Sequence, residues 1–152
     1  MLFLALLIGF FNGLRSLVTP AVVALATHLG WLNPGPGLAW IGSMPALIVF
    51  LLAAALELVA DKLPSTPSRT AALGLVARIV MGGLTGACVA AGGGHSGAIG
   101  AILGIAGALA GAYGGHAART GLVRALGTPD FVVAVLEDAV TILGSLWVVT
   151  RS

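Results

Sequence analysis

Arg15, Glu57, Asp61, Arg78, Arg119, Glu137 and Asp138 are the residues of this chain that could do chemistry, because each interrupts or borders a long apolar run. The sequence is 59% hydrophobic and only 8% charged, with a mean hydropathy of +1.10. Soluble domains hold about a quarter charged residues, so these runs are membrane material. A carboxylate enclosed in hydrocarbon can bind a cation, or carry a proton where desolvation disfavours its charged form. An arginine beside the free end of a half-helix can instead contact an anion, since unpaired backbone amides point there. Each charge at mid-membrane costs about 2.5–3.5 kcal/mol on the lenient insertion scale. Arg15, Glu57, Arg78, Glu137 and Asp138 facing lipid would together cost on the order of 12–18 kcal/mol, as much as a whole-domain stability of about 5–15 kcal/mol. They must therefore face one another, or water.

Spacing sorts the charges into sets. Glu57 and Asp61 are four residues apart and share one face of a helix. Glu137 shares a face with Thr141, and Asp138 and Ser145 lie on the neighbouring strip. We expect Glu57, Asp61, Glu137 and Asp138 to bind a cation or proton, while Arg15, Arg78 and Arg119 balance charge or contact an anion. The plain alternative is a set of static bridges, Arg78 with Glu57 and Arg15 or Arg119 with the Glu137–Asp138 pair, that only set helix register.

Other chemistries find little support. Cys88 is the sole cysteine, which excludes an intrachain disulfide and a cysteine-based zinc site. His28, His95 and His116 lack metal-ligand spacing, so no metal is expected. Ser16, Ser43 and Ser145 have no nucleophile context such as Gly-x-Ser-x-Gly, so no catalytic residue is assigned. The glycine-rich stretches lack the Gly-Lys-Ser/Thr ending of a phosphate loop, and no cofactor is expected. Net charge is +2, but the basic residues are scattered among apolar runs, which argues against nucleic acid as a partner.

The elements that must position these charges are helices. A straight span needs about 20 residues, and residues 1–31 are apolar for longer than that. Their middle holds Gly13, Arg15 and the helix-breaking Pro20, so we expect a broken first helix with halves over 2–14 and 20–31. The start lacks a basic n-region and a small-x-small cleavage site, and reads as a retained membrane segment. Proline and glycine mark 32–39 as a loop. A second span is expected over 40–60, a turn over 61–68, a third span over 69–91 and a flexible connection over 92–96. The fourth span, 97–118, places glycines at 97, 100, 104, 107, 111 and 115, alternating steps that share one helix face and permit close backbone approach. Residues 119–129 read as a short amphipathic connection, and 130–150 as the fifth span.

Lys62, Arg69, Arg119 and Arg124 fall after spans two and four, and none follows spans one or three. The positive-inside tendency then places the amino terminus in the cytoplasm. Counted from the cytoplasmic ends, Glu57 lies roughly 6–8 Å in, and Glu137 and Arg78 roughly 12–13 Å in. Arg15 lies deeper, near the break. A loose internal repeat pairs Arg15 and its acidic helix (Glu57, Asp61) with Arg119 and its acidic helix (Glu137, Asp138), one span apart. That arrangement inverts the second pair, as in small transporters.

One family resemblance rests on these residues. Asn12-Gly13-Leu14-Arg15-Ser16 with Pro20 downstream, Glu57 followed by Asp61-Lys62 and Pro64, Arg78, and Glu137-Asp138 resemble a bacterial inner-membrane family called domain of unknown function 4126. The resemblance runs over most of the chain, and the Glu-x-x-x-Asp-Lys-x-Pro group is its most specific part. An acidic residue often follows that proline in the family, whereas Ser65-Thr66-Pro67 stands here; a role for an acid in that turn does not carry over. The resemblance implies a small multi-span protein of the bacterial inner membrane and supplies no reaction.

These readings converge on an all-α integral membrane protein, a single transmembrane domain over 1–152. It would have about five transmembrane helices, the first one broken, with possible inverted two-helix repeats flanking span three. The expected function is a small transporter or channel-like protein for an ion or small polar solute, seated in lipid as a homo-oligomer and not an enzyme. The second reading is a scaffold or accessory protein whose buried charges are structural. A membrane enzyme acting on lipid head groups is a third, for which no nucleophile–base pair is visible.

Overall fold

The computed structural model describes residues 2–60, 72–127 and 130–152. Among them every regular element is helical. In chain order these are α1 (Leu2–Leu14), α2 (Val18–His28), a 3-10 turn (Ala39–Gly42), α3 (Met44–Ala60), α4 (Ala72–Gly92), α5 (Gly97–Leu126) and α6 (Asp130–Arg151). The expected turn at 61–68 and the Asp61 carboxylate lie outside the described residues.

The first helix is broken where the proline demands it. A proline ring clashes with the carbonyl four residues earlier, which for Pro20 is that of Ser16, in the middle of the break at Arg15–Leu17. The amide of Arg15 still donates to Phe11, closing α1 at 3.1 Å. The second half begins at Val18 rather than at 20, because a proline is tolerated in the first turn, where its missing N–H would have no partner anyway. It ends at His28 rather than 31. Gly30 adopts φ +81°, and the amides of Trp31 and Gly30 fold back onto the carbonyls of Ala26 and Thr27, the left-handed helix stop that glycine permits.

Two further boundaries differ from expectation. The second span starts as the 3-10 turn, breaks at the extended Ser43, and leaves α3 only 17 residues. The fourth does not stop at 118: α5 runs 30 residues to Gly127, whose φ of +63° ends it. Nothing between Gly115 and Leu126 forbids a helix, so Arg119 and Arg124 stand on α5 and not in a connection.

Segments Gly74–Gly92, Gly97–Leu126 and Val132–Arg151 are each long and apolar enough to cross a membrane, while α1, α2 and α3 are shorter apolar helices. The outer surface carries large apolar side chains throughout, among them Phe3, Leu52, Leu56, Ile102, Leu136 and Leu143. Such a surface would aggregate in water and is at home in lipid.

Packing centres on α5, which lies between α1 and α4. A Cβ on Gly107 or Gly111 would strike the backbone of Leu6 and Phe10 in α1, and one on Gly104 that of Gly82 in α4. Gly9, Gly13 and Gly86 present equally bare backbone from the other side. Lipid provides no hydrophobic drive between helices, so this seam holds through dispersion at backbone distance. On the opposite side α2 packs against α3 and α6, around Val22, Val23, Ala54 and Val148.

Candidate functional site

A break in a helix strands carbonyls at one end and amides at the other, and hydrocarbon offers no water to satisfy them. Here each end is closed by a charge of the favourable sign. At the carbonyl end, the Arg78 Nε donates to Gly13 at 2.9 Å and an Arg15 terminal nitrogen donates to Leu14 at 3.1 Å. At the amide end, α2 has Leu17 at its cap and no capping side chain of its own. Glu57, reaching over from α3, supplies one: its two oxygens accept the amides of Ser16 and Leu17 and the Ser16 hydroxyl, all at 2.7 Å. Cations at a helix C-terminus and an anion at an N-terminus complement the macrodipole.

Arg15 then ties the break to α6. It is fully enclosed, with its Nε and one terminal nitrogen each 2.6 Å from Asp138 Oδ1. It also donates to the Ala134 carbonyl at 3.2 Å and lies 3.3 Å from Glu137 Oε1. The other oxygen of Glu137 faces Arg119 at 3.7 Å. Asn12, one turn before the break, donates to the Arg78 carbonyl at 3.0 Å. Its own Oδ1 is buried with no hydrogen-bond partner. Two turns further along α6, the hydroxyls of Thr19 and Ser145 meet at 3.3 Å.

The structure therefore brings Arg15, Glu57, Arg78, Arg119, Glu137 and Asp138 to one break, from four helices and the break itself. The Glu57–Arg78 bridge is corrected: Glu57 spends its oxygens on backbone amides, and Arg78 reaches the Gly13 and Gly74 carbonyls. A stranded backbone group in hydrocarbon outcompetes a side-chain partner that has other options. Arg15 is wholly packed, and a cleft of about 240 Å³ that borders the cluster has Arg119 and Glu137 on otherwise apolar walls.

Some participants were not legible beforehand. Ser16 belongs to the motif that carries the resemblance but has no nucleophile context, and nothing in the sequence shows that its amide and hydroxyl hold Glu57. Thr19 carried no signal at all, though a hydroxyl beside a helix-breaking proline is a fair candidate for the buried face. The Gly13 carbonyl and Leu17 amide are backbone groups, and no residue type announces them.

The model of the family described as domain of unknown function (DUF4126) matches residues 2–151. The chain belongs to that family. Among curated proteins and solved structures, none matches it. This DUF4126 member is thus a helical, membrane-type protein. Asn12, Arg15, Glu57, Arg78 and Glu137-Asp138, through which the sequence resembles the family, are the residues that meet at the break.

Proposed function

We infer that the protein is a small transporter or channel-like protein for an ion or small polar solute, working at the helix break. The observation behind this reading is the break at Arg15–Leu17, whose two ends are held by an acidic and a basic side chain from other helices. Discontinuous helices at membrane depth place partly charged backbone ends where a solute can use them. Glu57 and Glu137 are the carboxylates best placed to take up a cation or proton, with Asp138 held by Arg15 and Asp61 as a further acid. Arg15, Arg78 and Arg119 keep the cluster near neutrality in either state. Neither a cofactor nor a metal is part of this mechanism, and it makes no covalent bond.

The 13 residues of α1 and 11 of α2 reach about 20 Å and about 16 Å at 1.5 Å per residue, each short of a hydrocarbon core of about 30 Å. Helix α1 runs beside α5 from Gly9 at Gly104 to Gly13 at Gly111, and α2 leads back to Leu32 at Gly92. In this reading the pair therefore enters the membrane and returns from the break instead of making one broken crossing. The membrane in this reading is the bacterial inner membrane, and the functional unit is a homo-oligomer. The inverted repeat sets α1–α2 with α3 against α5 with α6. Arg15 of the first and Arg119 of the second share Glu137, which supports a site where the halves meet.

The test is flux in liposomes. Glu57→Gln and Glu137→Gln should each give folded protein that no longer moves protons or small cations that the native protein moves. The second reading, a scaffold, draws support from the complete enclosure of Arg15, which suits a static clamp. Native protein that passes no proton, cation or small anion, while Glu137→Gln disrupts the oligomer, would decide for the scaffold.

A further inference from the structure

The buried charges lie toward one end of the helices, and the apolar core fills the other. At about 1.5 Å per residue, Glu57 stands about 5 Å from the end of α3, Arg78 about 9 Å from the start of α4, and Asp138 about 12 Å from the start of α6. That is the end at which residues 61–71 connect α3 to α4 and at which α5 finishes, and those stretches hold Lys62, Arg69 and Arg124. Toward the other end the interior is closed: Ala5, Ile8, Val23, Ala24, Val89 and Val148 are each 0% exposed. The hydroxyls there, Thr19, Thr85 and Ser145, bond one another or their own helix.

The hairpin of α1 and α2 comes in from that closed end. Gly9 meets Gly104 and Gly13 meets Gly111, so α1 runs parallel to α5 and starts level with it. Helix α2 returns to the same level, where Leu32 covers Gly92 and His28 Nδ1 pairs with the Gly42 carbonyl at 2.9 Å. The chain's three tryptophans belong to this end: Trp31 and Trp40 flank the loop after α2, and Trp147 lies near the end of α6 with Arg151 over its ring. Each is about half exposed, at 52%, 50% and 48%. Tryptophan marks a membrane interface, and an excess of lysine and arginine marks the cytoplasmic face. One end of the bundle carries the aromatic mark and the other the basic one.

We propose that the charged site at the break is entered only from the basic, cytoplasmic face, and that the α1–α2 hairpin, inserted from the opposite face, is the barrier that shuts it on that side. Helix α1 takes up about 20 Å of a hydrocarbon core about 30 Å thick and leaves a short path on the basic side. At the tip of the hairpin Leu17 and Glu57 are only half-buried. The amino terminus then lies on the face opposite to the cytoplasm, against the expectation from loop charge alone. The proposal gives a side to the site inferred above, and it rests on that reading for what enters.

Cysteine labelling from each face tests it. Cys88 is the sole native cysteine and is fully enclosed, so the native protein supplies the background. Ala125→Cys identifies the basic face in intact cells and in inverted membrane vesicles. Leu17→Cys keeps the amide that holds Glu57, and it should react with an impermeant methanethiosulfonate cation about tenfold faster from the face that labels Ala125→Cys. Equal rates from both faces, a faster rate from the other face, or no reaction from either overturns the proposal. Spin labels on Phe3→Cys with Ala125→Cys, in detergent, should lie at least about 36 Å apart, the length of α5 between their levels. A separation under about 25 Å, as one broken crossing would give, overturns it even where Leu17→Cys does not fold. Flux in liposomes keeps the two readings apart. Labelling from the basic face in a protein that moves no ion supports the barrier and sinks only the transport reading, whereas an ion-moving protein labelled from the other face sinks this proposal alone.

Discussion

Two regions of this molecule solve the same problem in opposite ways. Along α5, helices α1 and α4 approach with no polar group between them, and backbone lies against backbone at Gly9, Gly104 and Gly107. At Arg15–Leu17, a few residues from the end of that seam, the backbone is opened and its polar groups are handed to charged side chains of α3, α4 and of Arg15 itself. The seam tolerates no added atom, since its contacts are to rigid backbone. The break loses stability with each charge removed, since a stranded amide or carbonyl in hydrocarbon has no water to turn to. Shape governs the first region and charge pairing the second.

Substitutions should separate the two. The largest effect is expected at the seam: Gly104→Val would drive its side chain into the Gly82 backbone, and the loss should exceed the about 1–3 kcal/mol typical of an overpacked core. No monodisperse protein should survive size exclusion in detergent. Recovery at native yield would mean that the helices can separate there. Next comes Arg15→Met, which takes the guanidinium from Asp138 and from one oxygen of Glu137 and leaves both acids enclosed. A loss of about 3–5 kcal/mol is expected, and neutralising the acids in the same chain (Asp138→Asn with Glu137→Gln) should restore much of it in thermal unfolding, a recovery the seam variant cannot show.

Smaller effects refine the break itself. Glu57→Gln keeps the shape of the cap and loses its charge, so stability should fall by about 0.5–2 kcal/mol while flux is abolished. A stability loss without any change in native flux would confine Glu57 to capping. Smallest of all, Thr19→Val removes one hydroxyl contact to Ser145 and should cost about 0.5–1.5 kcal/mol. Thr19→Val with Ser145→Ala should lie close to the native protein, because both polar partners then leave together.

How far these regions were readable follows the same division. The glycine face of α5 was visible as spacing alone, because a helix converts steps of three and four into one side. The break was visible through Pro20, whose clash is local. The run-on of α5 through Arg119 to Gly127 was missed, since residues 116–126 contain neither a strong breaker nor a clear apolar stripe. The end of α2 at His28 was missed because Gly30 was read as part of an apolar run, and not as a stop.

By itself, then, the sequence determined the membrane class, the place where the first helix must part and the bare face that packs. All three depend on neighbours along the chain, or on composition, and need no knowledge of what lies across the fold. Only the tertiary structure decided which charge serves which group. Hydrogen bonds form between atoms about 3 Å apart in space, and Glu57 had three arginines and several stranded amides to choose from. It settled on Ser16 and Leu17 because α3 packs beside α2. There an anion closes the end of a helix that has no cap of its own.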